Sequence, residues 1–207
     1  MSVIHKLATS LGRRDEVPNQ ELAKEIAAKN DKNAVKEIVQ NLHNKSRDIQ
    51  NDCIKVLYET GELKPSLVAP YAKDLIVLLD NKNNRLQWGA MTALNTITLE
   101  ESKMVWSALP KIVVVANSGS VITRDHAVNI LIKLCSVKQY ADNAFSLLTE
   151  QLLTSPANQL PMYAERAIPV ITDKNKGTFI KTLSSRLSDI ERDTGRKRVE
   201  KVIKKFS

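Results

Sequence analysis

Chemistry that needs side chains at fixed spacing finds few footholds in this chain. Its histidines, His5, His43 and His126, are isolated, and none has a partner at the metal-ligand spacing of an H-E-x-x-H helix. His126 follows Asp125, but neighbours on a helix point about 100° apart and make a poor hydrogen-bonded dyad. The glycines, at positions 12, 61, 89, 119, 177 and 195, each stand alone, so no loop of them can cradle a phosphate. No G-x-S-x-G marks a nucleophile elbow. Cys53 and Cys135 sit far apart inside apolar helical patterns, which predicts two reduced, buried thiols. The chain reads as non-catalytic, with no metal and no cofactor.

Recognition is then carried by surface, and one tryptophan stands out. In Arg85–Leu94, "RLQWGAMTAL", a turn of 100° per residue gathers Leu86, Ala90, Ala93, Leu94 and Ile97 on one side. Trp88 falls almost opposite them, beside Thr92 and Asn95. A tryptophan held among polar groups is a contact anchor, because Trp dominates binding hot spots. Trp106, beside Leu109, reads instead as core. The second feature is charge. Residues 172–207 hold 11 basic and 5 acidic side chains, so +6 of the net +8 lies there. Arg196, Lys197, Arg198, Lys201, Lys204 and Lys205 surround Val199, Val202, Ile203 and Phe206 in an amphipathic basic helix.

Both features must be positioned by helices. Only 4 % of residues are aromatic, so Leu, Ile, Val and Ala build the core, and six glycines with seven prolines are too few for the turns of an all-β fold. No apolar run approaches the roughly 20 residues that span a bilayer, and the first residues lack a signal-peptide h-region, so the cytoplasm is the expected compartment. Apolar segments recur. "IQNDCIKVL" begins at Ile49, "LQWGAMTAL" at Leu86, "TRDHAVNIL" at Thr123, "YAERAIPVI" at Tyr163 and "GRKRVEKVI" at Gly195. Each is preceded by another helical pattern, at Ala34–Leu42, Leu67–Leu79, Met104–Ala116, Ala141–Leu153 and Thr178–Leu187, and a short polar turn joins the two. Thr98 and Glu101 have the spacing of a capping box, Pro65–Ser66 precedes the helix from Leu67, Pro161 fits a first helical turn, and Ile4, Leu7 and Leu11 can share one helix face. A hairpin of about 37 residues cannot bury its own stripe, so neighbours must stack on it.

Residues 67–97 resemble a HEAT repeat: Pro70 in the first helix, the pair Leu78–Leu79, Asp80, a polar turn, then Leu86–Leu94 in the second helix. Pro110 repeats the proline one unit on. The family's second-helix arginine is kept at Arg124 and Arg196 and replaced at Gln50, Gln87 and Ala164. The resemblance covers roughly residues 33–206. It implies an all-α, right-handed superhelix of about six stacked hairpins, with residues 1–32 as capping helices and 33–207 as one repeat array. It also implies that second helices line a concave face. The outward column there carries Asn51, Trp88, Asp125, Glu165 and Lys197, with Lys55, Tyr58, Thr92, Asn95 and Asn129 in the following turns.

The function expected is a scaffold that binds another protein along this surface through Trp88, Tyr58, Thr92, Asn95 and Asn129. The alternative is binding of nucleic acid, or of an acidic partner, by Arg196, Lys197, Arg198, Lys201, Lys204 and Lys205. A DNA alkylation-repair glycosylase, with Trp88 and Asp125 in one column, ranks third because Asp52, Asp125 and Glu165 would oppose phosphate.

Overall fold

Aliphatic residues at helical spacing produce helices throughout. The computed structural model describes residues 2–207 and, among them, contains no strand. Two 3₁₀ turns, Ile4–Lys6 and Thr9–Leu11, precede α1 (Val17–Lys29). Then come α2 (Lys32–Gln40), α3 (Arg47–Leu63), α4 (Pro65–Val68), α5 (Ala72–Leu78), α6 (Asn84–Ile97), α7 (Ser102–Ser107), α8 (Leu109–Ser118) and α9 (Val121–Cys135). The chain ends in α10 (Ala141–Thr154), α11 (Leu160–Ala167), α12 (Lys176–Ser185) and α13 (Asp193–Phe206). The recurring segments are α3, α6, α9, α11 and α13. Two of the preceding helices are broken at proline. A 3₁₀ turn around Pro70 divides α4 from α5, and α7 stops at Ala108 ahead of Pro110. A proline ring removes one donor and crowds the carbonyl four residues back, which is enough to interrupt an α-helix.

The chain divides into two compact units, Met1–Ala127 and Val128–Ser207, with the boundary inside α9. In the first unit α3 packs against both α1 and α6. Ile38, Ile54, Leu57, Leu75, Leu86, Leu94 and Ile97 are fully buried there, each contributing about 1.5–3 kcal/mol of transfer free energy. The α3–α6 approach depends on Gly89: a Cβ there would sit 2.6 Å from Cγ1 of Ile54. Trp106 is half-buried rather than core, while its neighbours Val105 and Leu109 are buried.

Three further sequence expectations change among these helices. Residues 4–11 do not form one helix, because the N–H of Ala8 donates to Asn19 Oδ1 (3.0 Å) and that of Thr9 to Asp52 Oδ2 (2.7 Å). Those donors are diverted from an intrahelical ladder, so two 3₁₀ turns result; Leu7 is buried and Leu11 exposed. The Thr98–Glu101 capping box is also absent. Thr98 Oγ1 donates to the Leu94 carbonyl (2.9 Å), four residues back, and α7 begins only at Ser102. Asp52, counted in sequence among the open acids, is spent on the N-terminal segment, its second oxygen accepting from Asn19 Nδ2 (2.7 Å).

In the second unit Leu148, Leu152, Leu160, Tyr163, Phe179, Leu183 and Val199 are buried, and Phe206 meets Phe179 edge-on at 6.0 Å. Arg186 holds the end of α10, donating to the carbonyls of Leu152 (2.9 Å), Leu153 (2.7 Å) and Ser155 (3.0 Å). These are carbonyls that a helix end leaves without an intrahelical donor. Cys53 is buried and Cys135 half-buried, both free, and burial pushes each thiol up to about 12.

At four of the five positions that match the family's arginine, a long side chain donates to a nearby backbone carbonyl. Gln50 donates to the Asn44 carbonyl (2.7 Å), Gln87 to Leu79 (2.9 Å), Arg124 to Ala116 (3.2 Å) and Arg196 to Ile190 (3.0 Å). Each ties the start of a second helix to the stretch of chain just before it, a turn residue or the end of the preceding helix. Asp80 pairs instead with Lys111 (2.6 Å). Among the described residues no helix is long and apolar enough to cross a membrane.

Candidate protein-binding surface

The first turns of α6 and the middle of α3 carry the same short pattern, a cation followed three residues later by an aromatic: Arg85 and Trp88, Lys55 and Tyr58. That spacing puts each pair on one helix face. Because α3 and α6 are neighbours, the two pairs meet. The Tyr58 and Trp88 rings lie 5.9 Å apart, tilted by 46°. Arg85 stands 5.6 Å from the Trp88 ring and Lys55 4.9 Å from the Tyr58 ring. Such cation–π contacts add about 0.5–2 kcal/mol each, most where water is excluded.

Two carboxylates close the cluster. Lys55 Nζ reaches Glu16 Oε2 at 2.8 Å and Glu59 Oε1 at 2.6 Å, and its side chain is only 7 % exposed. The other oxygen of Glu16 takes Arg85 at 2.5 Å. Glu16 therefore bridges α3 and α6 from the segment leading into α1. Burial alone would lower the Lys55 pKa, but its hydrogen bonds to Glu16 and Glu59 outweigh that and raise it above the ordinary lysine value. The Lys55 hydrogen bond holds Glu16 below the usual carboxylate range, against a smaller effect of burial. Burial pushes the Tyr58 phenol up. Two cations and two carboxylates balance, so the cluster presents an aromatic edge rather than a charge.

The structure leaves the column less open than the helical wheel suggests. Trp88 and Asn129 are half-buried, whereas Tyr58, Thr92 and Asn95 are buried. A wheel places residues around one helix and takes no account of what the next helix covers. Tyr58 lies under Lys55 and Trp88. Thr92 Oγ1 turns back to the Trp88 carbonyl (2.8 Å), and Asn95 Nδ2 lies 3.2 Å from His126 Nδ1. Asn129, in the second unit, accepts from Arg166 at 3.4 Å. Trp88 is thus the accessible member of the first-unit group, and Tyr58 its support. Lys55 stood in the sequence column, but its burial and the roles of Arg85, Glu59 and Glu16 were not evident there. The repeated cation–aromatic spacing is a signal that could have found Arg85; nothing local points to Glu16, 69 residues from Arg85.

In the second unit the C-terminal cations split into two sets. Arg198 grips Glu165 with both arms of its guanidinium (2.8 and 2.6 Å), and that hydrogen bond lowers the Glu165 pKa. Arg196 and Lys197 face Asp193 at 3.8 and 3.5 Å. Lys201, Lys204 and Lys205 are exposed and make no ion pair among the described residues.

No family model and no curated protein matches the chain. Solved structures do. A designed armadillo repeat protein in complex with the peptide (KR)4 superposes with a TM-score of 0.68 at 17 % identity, over 91 % of this chain and 87 % of that one. Computationally designed armadillo repeat proteins for modular peptide recognition give 0.67 at 16 % identity, over 92 % of each chain. An engineered protein gives 0.63 at 19 % identity, over 100 % and 98 %. These identities speak to architecture, and together with the stacked hairpins they lead to one conclusion: the chain has an armadillo/HEAT-like helical-repeat fold.

Proposed function

We propose that the protein is a non-catalytic scaffold that binds a segment of another protein along its second-helix surface, with Trp88 as the anchor. The observation that carries this reading is the mounting of Trp88. A large ring is left half-open to solvent while Tyr58 and Arg85 fix its orientation, so little side-chain entropy remains to be lost on binding. Two of the similar folds are described as peptide-bound or built for peptide recognition, which supports a peptide segment as the binding partner. Tyr58 and Thr92 act beneath the surface, by holding the Trp88 turn in place, and Asn95 is buried against His126.

The test is selection of peptides from a displayed random library on the wild-type chain, followed by affinity measurement against Trp88→Ala. A hot-spot tryptophan is worth at least about 2 kcal/mol, so affinity should fall about 30-fold or more while the helical circular-dichroism spectrum is retained. Trp88 fluorescence, read in a Trp106→Phe background, should shift on titration. Peptides that bind Trp88→Ala as tightly as wild type would remove Trp88 from the site.

A further inference from the structure

The face that α13 turns toward α11 carries Arg198, Lys201, Val202 and Lys205, at the i, i+3, i+4, i+7 spacing of one helical stripe. With Glu165 and Ile168 they line a groove of about 420 Å³. Its floor is apolar: Val202 is 3 % exposed, and Ile168 is half-buried beside it. Its rim is charged in an uneven way. Arg198 and Glu165 cancel each other through their bidentate pair, whereas Lys201, which adds only a weaker coulombic pull on Glu165, and Lys205 make no ion pair among the described residues. An aliphatic socket bordered by two lysines outside any ion pair is therefore left facing solvent.

We propose that this groove docks an acidic peptide segment of a partner protein. One aliphatic side chain fills the socket over Ile168 and Val202, and flanking carboxylates meet Lys201 and Lys205. Charge complementarity selects the acidic partner. Spacing selects its form: Lys201 and Lys205 are one helical turn apart, about 6 Å along the axis. Carboxylates four apart on a helix, or two apart on an extended strand, repeat at nearly the same distance. Nucleic acid fits the groove less well. A phosphodiester backbone has nothing to place in an apolar socket, and no aromatic ring lines it for a base to stack upon. Its one guanidinium, the group best shaped for phosphate, is already held by Glu165. The groove is separate from the Trp88 surface and stands or falls independently of it.

The experiment is fluorescence anisotropy on the full chain with a labelled peptide of glutamates around one central leucine. The same peptide with alanine at the centre and a labelled single-stranded RNA are run beside it, at about 50 and 200 mM salt. The variants are Lys201→Gln/Lys205→Gln and Ile168→Ala. Lys181→Gln/Arg192→Gln, the same charge loss outside the groove, is the control. The leucine peptide should bind about tenfold tighter than the alanine peptide and lose about tenfold in either groove variant, while the control changes it less than twofold. All these variants alter exposed or half-buried side chains, and an unchanged melting transition verifies the fold of each. Indifference to the central leucine, an equal loss in the control, no binding at low salt, or displacement of the peptide by RNA would each overturn the proposal.

Discussion

Lysine does opposite work in the two units. Lys55 of the first unit is 7 % exposed, fixed between Glu16 and Glu59, and lies over the Tyr58 ring. Lys201, Lys204 and Lys205 of the second are exposed and make no ion pair among the described residues. The first is part of the fold; the others are available to something else. Net charge alone does not separate these uses, since each lysine counts +1 in the sequence. What separates them is whether a carboxylate from elsewhere in the chain arrives at the same place. Arg186 shows that the second unit also has an inward cation, spent on three carbonyls and on Asp189 three residues along.

The largest effect should come from Lys55→Ala. Removing one member of a buried ion pair costs about 3–5 kcal/mol. Glu16 can still turn to solvent, its side chain being 44 % exposed, which places the expected loss near the lower end, about 3 kcal/mol by urea denaturation. A loss below about 1 kcal/mol would mean that Lys55 behaves like a surface lysine and would erase the contrast.

A smaller effect concerns pH. The folded-state pKa of Glu16 lies below its ordinary value of 4.5. Its contribution is therefore complete above about pH 4.5 and is lost as the pH falls through the depressed folded value. Glu16→Gln should lower stability at neutral pH and leave a flatter stability curve below pH 4.5. Parallel curves for wild type and variant would exclude Glu16 as the titrating bridge. The smallest effect belongs to the triple variant Lys201→Gln/Lys204→Gln/Lys205→Gln, which should shift stability by no more than about 0.5 kcal/mol, as surface substitutions do. A larger change would show that these side chains support the fold.

Architecture was legible because it is periodic. Segments starting at Ile49, Leu86 and Thr123 announce α3, α6 and α9, and Pro70 and Pro110 sit where the first helices break. The site was legible only in outline. Trp88 could be singled out from its own helix, but the burial of Tyr58, Thr92 and Asn95 depends on neighbouring helices, which a single-helix projection leaves out. Glu16 and Asp52 were the least legible. Each acts on residues that become its neighbours only after folding, Glu16 on Lys55 and Arg85, Asp52 on Thr9 and Asn19. At both positions a locally unremarkable acid holds the chain's first segment to α3.

The carbonyl clasp made in turn by Gln50, Gln87, Arg124 and Arg196 bears on how such a chain can change. The clasp lies within a hairpin, between a second helix and the residues just before it, so four of the five hairpins bring their own fastening and that of α11, with Ala164 at this position, does not. Amide and guanidinium serve alike, because the task requires only a donor long enough to reach a carbonyl. A hairpin can then be duplicated, deleted or transplanted with its internal geometry intact, leaving only its two stacking faces to be rematched. In this sense the hairpin is the molecule's unit of inheritance.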